Sequence, residues 1–406
     1  MPKPTPKFSI KLLIRLYFLF IFGALGTLMA YMSLHYDEIG FNGIQISTIM
    51  VLGSLATILT AARYGLVFDR ANDKRRVLIA SLLIMALSLS SIVWIKAFVP
   101  VLLLWVIYRT LQGPFYSTSE NLSFSVASKS TDRQTSNFGS IRLWGSIGYA
   151  VITLLAGWIY QKYGIAYNML LFLLLVGLSI AVLMFMPDSI FEMAEEKDQK
   201  SLSLPAVLKL VVSNRFLWMM AMALAISDTT QDGIRAFEPI YMHSLGLEAG
   251  LIGLANSLSA LTEVPFMMNA DRIIRKIGIR RIILAVFVFD LSRRLLVWFF
   301  PSAGMVFATS VITSASFTFR LVCTITLVNL SLPKQVTSTA NAFIGVTMFG
   351  MGYIISNALS GFVYDRFGNR EVYLVGAGLC AVSLLLGLSA GKLEPKLEPI
   401  DLTKLV

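Results

Sequence analysis

Twelve stretches of mostly apolar residues follow one another along this chain, at roughly 12–34, 44–68, 77–96, 99–124, 137–160, 165–187, 216–243, 250–270, 281–300, 303–331, 338–363 and 371–391. Each is near the about 20 residues that a helix needs to cross the hydrocarbon core of a bilayer. Lipid offers no hydrogen-bond partners, so a crossing segment must satisfy its own backbone, as a helix does. With 14% charged and 56% hydrophobic residues, the chain cannot cover a water-facing surface. A cytosolic enzyme, a secreted disulfide scaffold and a disordered protein are thereby excluded. The expected fold is an all-α polytopic membrane protein with twelve transmembrane helices in two six-helix bundles.

An even number of spans returns the chain to the side it started from. Short loops rich in Lys and Arg stay in the cytoplasm, and only Lys96, Lys162, Arg366 and Arg370 fall in the loops of the other side. Both termini are therefore expected in the cytoplasm and the protein in the cell membrane. The net charge of +11 reads as this topology signal and not as a nucleic-acid surface, because the basic residues are scattered between apolar runs. The longest polar stretch, 188–206, divides the chain almost in half. The expected organisation is a bundle over 1–187, a cytoplasmic linker over 188–215, a second bundle over 216–392 and a cytoplasmic tail over 393–406.

The halves repeat. Leu155-Ala156-Gly157-Trp158-Ile159-Tyr160-Gln161-Lys162-Tyr163-Gly164 returns 204 residues later as Leu359-Ser360-Gly361-Phe362-Val363-Tyr364-Asp365-Arg366-Phe367-Gly368. Gly148-Tyr149 returns at the same offset as Gly352-Tyr353, and Asp69-Arg70 returns after 202 residues as Asp271-Arg272. Since each half holds six spans, the repeat is parallel, about an axis along the membrane normal.

Gly65-Leu66-Val67-Phe68-Asp69-Arg70, with the basic run Lys74-Arg75-Arg76 after it, resembles the cytoplasmic signature loop of the major facilitator superfamily. The glycine would let helices pack closely, the aspartate would cap a helix N-terminus, and the basic residues would hold the loop in the cytoplasm. Gly65, Asp69, Arg70, Asp271 and Arg272 then read as a gate latch, with a bare topology signal as the alternative. At the fifth span, Phe138-Gly139-Ser140-Ile141-Arg142-Leu143-Trp144-Gly145-Ser146-Ile147-Gly148-Tyr149-Ala150 is similar to the corresponding helix of lactose permease and the phenylpropionate-permease-like group. The resemblance implies two bundles rocking about a midplane cavity, with Arg142 binding solute hydroxyls and Tyr149 stacking on a solute ring. These two residues are seven apart, about two turns, and share a helix face in any case.

An ionisable side chain inside a membrane costs a few kcal/mol or more, so each one is a functional hypothesis. The fourth span places Arg109, Gln112, Tyr116 and Glu120 near one stripe, and Glu120 at a depth where it can pair with Arg142, beside the aromatic Trp144. The seventh carries Asp228, Asp232 and Arg235 within an arc of about 60°. Two carboxylates one turn apart do not both ionise easily, which suits a proton carrier. Glu238, before Pro239, reads as a rim residue. Glu263 in the eighth span and Arg293 in the ninth are the positions that the resemblance implies for joint solute and proton handling, while Asp290 can instead neutralise Arg293 or Arg294 at i+3 or i+4. The Lys, His and Glu of the permease's tenth span are missing: residues 303–333 hold only Arg320, whose acidic partner the family geometry places on the seventh span. The proton then falls to Asp228, Asp232 or Glu263, with Arg235, Arg320 and Asp290 as the charges around them.

His35 and His243 fall in loops on the outer side, no Gly-x-x-x-x-Gly-Lys-Ser/Thr sequence occurs, and Cys323 and Cys380 sit singly in apolar runs. No metal, built-in ATP motor or cofactor is expected, and the chain reads as a non-enzyme. The expected function is secondary transport of a small polar or anionic solute (sugar, nucleoside or aryl carboxylate) by alternating access, in symport with protons, sodium remaining open, as a monomer in the bilayer. An exporter of amphipathic drugs or lipids would need apolar walls more than paired charges. A non-transporting sensor or scaffold of the same fold is the third reading.

Overall fold

The computed structural model describes residues 10–128, 134–192, 204–332, 340–341, 343–345 and 350–391, together with 337. Among them, every regular element is helical. The chain forms α1 (Ile10–Leu28), α2 (Met32–Glu38), α3 (Gly43–Arg70), α4 (Lys74–Ile92), α5 (Phe98–Ser128), α6 (Gln134–Tyr163), α7 (Ile165–Phe185), α8 (Ser189–Glu192) and α9 (Leu204–Ser213). It continues through α10 (Arg215–Ser244), α11 (Ala249–Ile277), α12 (Ile279–Phe299), α13 (Ala303–Ser331), α14 (Gly350–Phe367) and α15 (Asn369–Ala390). Among the described residues, nine spans are long and apolar enough to cross a membrane, with α1 and α2 forming one of them. The other long helices are α10, α12 and α14; α10 carries Asp228, Asp232, Arg235 and Glu238, and α12 carries the buried Asp290, Arg293 and Arg294.

The first span runs further than the apolar pattern suggests, through α2 to Glu38, before the chain turns at Gly40. His35 is therefore a buried residue of α2, and His243 lies in the last turn of α10. Neither histidine is on a loop, which corrects the sequence reading.

The repeat is visible in the backbone. The turn after α2 is made at Gly40 (φ +93°) and its counterpart after α10 at Gly246 (φ +87°); the turn after α6 is made at Gly164 (φ +83°) and its counterpart after α14 at Gly368 (φ +96°). These are left-handed conformations that residues with a Cβ adopt at a cost. Packing repeats as well. In the first half α1 lies on α6 and α7, α3 on α5, and α4 on α5 and α7; in the second, α10 lies on α14 and α15, α11 on α13, and α12 on α13 and α15.

The halves meet along the helix pairs α6 with α11 and α3 with α14, which the repeat relates to each other, and along α2 with α10. Among the described residues, close approaches of Gly157 to Ala249 and of Gly43 and Ser47 to Gly361 lie toward one end of the molecule. We call the face bearing Ile10 and Gly391, the first and last described residues, the near face and the opposite one the far face. One apolar core fills the first half and continues into the far ends of the second through Ile234, Phe237, Ile240, Tyr241, Ile252, Val363 and Tyr373. A separate core, from Phe216 and Leu217 through Phe287 to Leu332, occupies the near end of the second half alone. The bundles are thus fused at the far face, with their near-face cores separate.

The loop between α3 and α4 corrects one expectation and adds a cap. Asp73 caps a helix: its carboxylate accepts the Arg76 amide at 3.1 Å at the start of α4. Gly65 makes no close packing, since a Cβ there would meet nothing within 4 Å. The basic run is anchored elsewhere, with the Arg75 guanidinium donating to the Met186 carbonyl (2.5 Å) and to Asp188 (2.6 Å) just past α7. Arg70, Asp271 and Arg272 are exposed, and the Asp69 side chain lies outside the described ones.

A candidate solute site between the halves

Helix periodicity builds a cavity of about 350 Å³ where α1 and α6 of the first half face α10, α11 and α13 of the second. Each of these three helices of the second half contributes one stripe at the i, i+4, i+7 spacing that shares a face. On α10 the stripe is Gln231, Arg235, Glu238 and Met242; on α11 it is Asn256, Ser259, Ala260 and Glu263; on α13 it is Ser310, Thr313, Ser314 and Phe317. The first half adds Phe22 and Leu25 from α1 and Gly145, Ser146 and Tyr149 from α6. The small residues of α6 bring it against α1, and a Cβ at Gly148 would stand 2.9 Å from the Leu19 carbonyl carbon.

Three of the expected site residues therefore line one cavity: Tyr149, Glu263 and Arg235. The Arg235 guanidinium lies over the Phe317 ring, 5.5 Å from its centroid. Tyr149 sits within electrostatic reach of both Arg235 and Glu263 of the other half. Tyr116 is one layer behind, its hydroxyl donating to the Ile21 carbonyl (3.3 Å) and its ring edge-on to Phe22. Arg109 donates to Gln112 on its own helix and lies close enough to Asp232 and Tyr353 of the other half to act on both. Trp144 and Glu120 are half-buried, and the Arg142 side chain, with its expected pairing to Glu120, lies outside the described ones.

The second half holds a buried ion network beneath the cavity wall. Arg320 donates to Asp228 at 2.8 Å and also to Asp290, which is 1% exposed. Arg294 lies 3.8 Å from the same Asp290 carboxylate, and its other terminal nitrogen donates to Gln231 at 3.2 Å. Ser227 adds a hydroxyl to Asp290 at 3.3 Å. The acid on the seventh span that Arg320 requires is thus Asp228, with a second from the ninth.

Arg293 departs from the expectation. It is not on the cavity wall with Glu263; its guanidinium donates to both carboxylate oxygens of Glu238, at 2.8 and 2.9 Å, and to the Thr309 carbonyl at 3.2 Å. Glu238, read from sequence as a rim residue, is a wall residue of the cavity, and the Tyr373 hydroxyl donates to it at 3.0 Å. The reason is rotational: Pro239 interrupts the α10 hydrogen-bond ladder just there, and Glu238 falls one stripe position on from Arg235. A survey of intramembrane charges alone also passes over Gln231, Asn256, Ser146, Ser259, Ser310, Thr313 and Ser314. Their signal was available as polar side chains recurring at helical spacing inside otherwise apolar spans.

A family model described as "MFS_1 like family" matches residues 11–375. The maltose permease of Geobacillus stearothermophilus is 27% identical, the alignment covering 93% of this chain and 94% of that protein. The probable 3-phenylpropionic acid transporter of Escherichia coli (strain K12) is 23% identical, over 94% of this chain and 96% of that protein. Among solved structures, the nucleoside transporter NupG superposes with a TM-score of 0.78 at 16% identity, covering 95% of this chain and all of that one. A bacterial homologue of the human lysosomal transporter Spinster, in an inward-facing and unoccupied conformation, superposes with a TM-score of 0.71 at 11% identity, covering 95% of this chain and 96% of that one.

Proposed function

The chain belongs to the MFS_1-like family of major facilitator transporters, and from that premise we propose that it carries a neutral, polyhydroxylated solute of sugar or nucleoside type, in symport with protons. The observation that carries this reading is the cavity wall. Its hydroxyls and amides come from Ser146, Gln231, Asn256, Ser259, Ser310, Thr313 and Ser314, and its flat apolar surfaces from Phe22, Tyr149 and Phe317. Such a lining offers many weak donors and acceptors around a ring, the pattern by which small-solute sites gain orientation. The charges argue against an anionic solute. Among the described side chains of the wall, Glu238 is paired with Arg293, and Arg235 and Glu263 are of opposite sign.

The alternation follows from the fold. With the halves fused at the far face, the site opens toward the near face, which the loop charges assign to the cytoplasm. We assign the proton to Asp232. Asp228 and Asp290 are held by Arg320 and Glu238 by Arg293, and a carboxylate in such a pair favours its charged form. Asp232 is within electrostatic reach of Arg109 of one half and Arg235 of its own helix, so its charge bears on both bundles. Protonation there would change the relative stability of the two states.

The test is binding to purified protein in detergent by thermal shift, with panels of oligosaccharides, nucleosides and aromatic acids. The expected result is stabilisation by a neutral polyol, lost in Tyr149→Ala and weakened in Asn256→Ala. Stabilisation by aromatic acids alone, or by lipophilic compounds that bind Tyr149→Ala equally well, overturns the reading. In proteoliposomes, Asp232→Asn and Glu263→Gln are tested separately. Loss of uptake driven by a pH gradient, with solute exchange at equal pH retained, identifies the proton carrier.

A further inference from the structure

The far-face contact is made by the repeated segments that end α6 and α14, at positions the solute site does not use. The start of α3 belongs to the first half, and its first amides have no partner within the helix. Two are satisfied locally by a capping box: the Asn42 side chain accepts the Gln45 amide at 2.8 Å, and the Gln45 side chain accepts the Asn42 amide at 3.0 Å. The remaining two are satisfied from the other half. The Asp365 carboxylate, near the end of α14, accepts the Gly43 amide at 2.6 Å and the Ile44 amide at 2.7 Å. The residue before it, Tyr364, donates its hydroxyl to Asp37 of α2 at 3.0 Å, also across the halves.

The same device recurs at the repeat-related place. Gln161, the counterpart of Asp365 at the offset of 204, ends α6 and reaches the start of α11 in the second half. Its side-chain oxygen accepts the Gly250 amide at 3.2 Å, and its side-chain nitrogen donates to the Glu248 carboxylate. Glu248 precedes α11 without making a side-chain cap of its own. The two copies differ for an electrostatic reason. The residue before α3 is the neutral Asn42, which leaves the helix N-terminus open to an anion. The residue before α11 is the acidic Glu248, where an amide can both accept from the helix and donate to the acid. Glycines allow the approach: a Cβ at Gly43 would lie 2.8 Å from the Gly361 carbonyl oxygen, and one at Gly157 would lie 2.7 Å from the Ala249 carbonyl oxygen.

We propose that Asp365 and Gln161 are a matched pair of far-face latches, each capping the first turn of a helix in the opposite half, and that they set the balance between far-closed and far-open states. Opening the far face strips α3 of two of its four caps and α11 of its side-chain cap. Asp365 is the stronger latch because it is charged and accepts two amides. The proposal rests on the alternating-access reading but not on the identity of the solute.

The experiment places spin labels on the full-length protein in lipid nanodiscs at Lys96→Cys and Pro301→Cys, exposed far-face positions in opposite halves, with the buried Cys323 and Cys380 left in place. Distances are read by double electron–electron resonance. Asp365→Ala should move the far-open to far-closed ratio by about tenfold, the equivalent of about 1.4 kcal/mol, and Gln161→Ala by less. Gln161→Glu should also open the far face, because two acids then meet at Glu248, and adding Glu248→Gln should close it again. An unchanged distribution in folded Asp365→Ala and Asp365→Asn, or failure of the Glu248→Gln reversal, overturns the latch. If the wild-type protein shows the closed distance alone in every condition, the alternating-access reading falls. A new long component in Asp365→Ala would even then support the latch, and its absence would overturn it.

Discussion

Replacing Arg293 by Met should destabilise the protein far more than replacing Arg293 and Glu238 together. The Arg293 side chain is 3% exposed and that of Glu238 19%, and the guanidinium donates to both carboxylate oxygens at 2.8 and 2.9 Å. In Arg293→Met the carboxylate keeps, among the described residues, the Tyr373 hydroxyl. In Glu238→Met the guanidinium keeps the Thr309 carbonyl and the more distant charge of Asp290. Removing one partner of a buried pair costs about 3–5 kcal/mol, because the other charge stays behind without compensation. Glu238 faces a cavity that admits water, so the lower end, about 3 kcal/mol for each single change, is expected. Replacing the whole pair by apolar side chains of similar volume is often close to neutral, so the double variant should lie within about 1 kcal/mol of the parent. The coupling in the double-mutant cycle is then several kcal/mol, far above the about 0.5 kcal/mol scatter of independent sites. The assay is denaturant unfolding in mixed micelles, followed by tryptophan fluorescence, for the parent, both single variants and the double. Additive losses would refute the pairing. So would coupling of Arg293→Met to Glu263→Gln in place of Glu238→Met, which would return Arg293 to the partner expected from sequence.

Three further outcomes follow from the same geometry. Arg320→Lys should lose about 2–3 kcal/mol in the same unfolding assay, since one ammonium cannot reproduce the fork that joins Asp228 to Asp290. Gly148→Ala drives a methyl group into the backbone of α1 at Leu19 and should cost about 1–3 kcal/mol, whereas Gly65→Ala, with nothing within 4 Å, should be neutral or stabilise by up to about 1 kcal/mol. Asp73→Ala removes the cap of α4 and should cost about 1 kcal/mol, visible as faster amide exchange over the first turn of that helix.

Much of the architecture was legible because lipid makes the reading simple. A bilayer demands a helix wherever about 20 apolar residues run together, so spans and their order follow from hydropathy alone. The repeat at 204 was legible because the halves bury equivalent faces and need the same glycine turns, seen in Gly164 and Gly368. The charged residues were legible as outliers in apolar runs. Their partners were not, and the polar wall of Asn256, Ser259, Ser310 and Ser314 went unread, because single hydroxyls and amides stand out less than charges.

By itself, then, the sequence determined a twelve-span all-helical chain, built twice over, with acids and arginines concentrated in spans seven to ten. Only the tertiary structure decided that Arg293 serves Glu238, that Arg320 bridges Asp228 and Asp290, and that Asp365 and Gln161 cap helices of the opposite half. Spacing along one helix tells which residues share a face. How that face is rotated and slid against a helix dozens or hundreds of residues away is set by the packing of small residues and bulky ones across the interface, and the pairing of charges follows from that register.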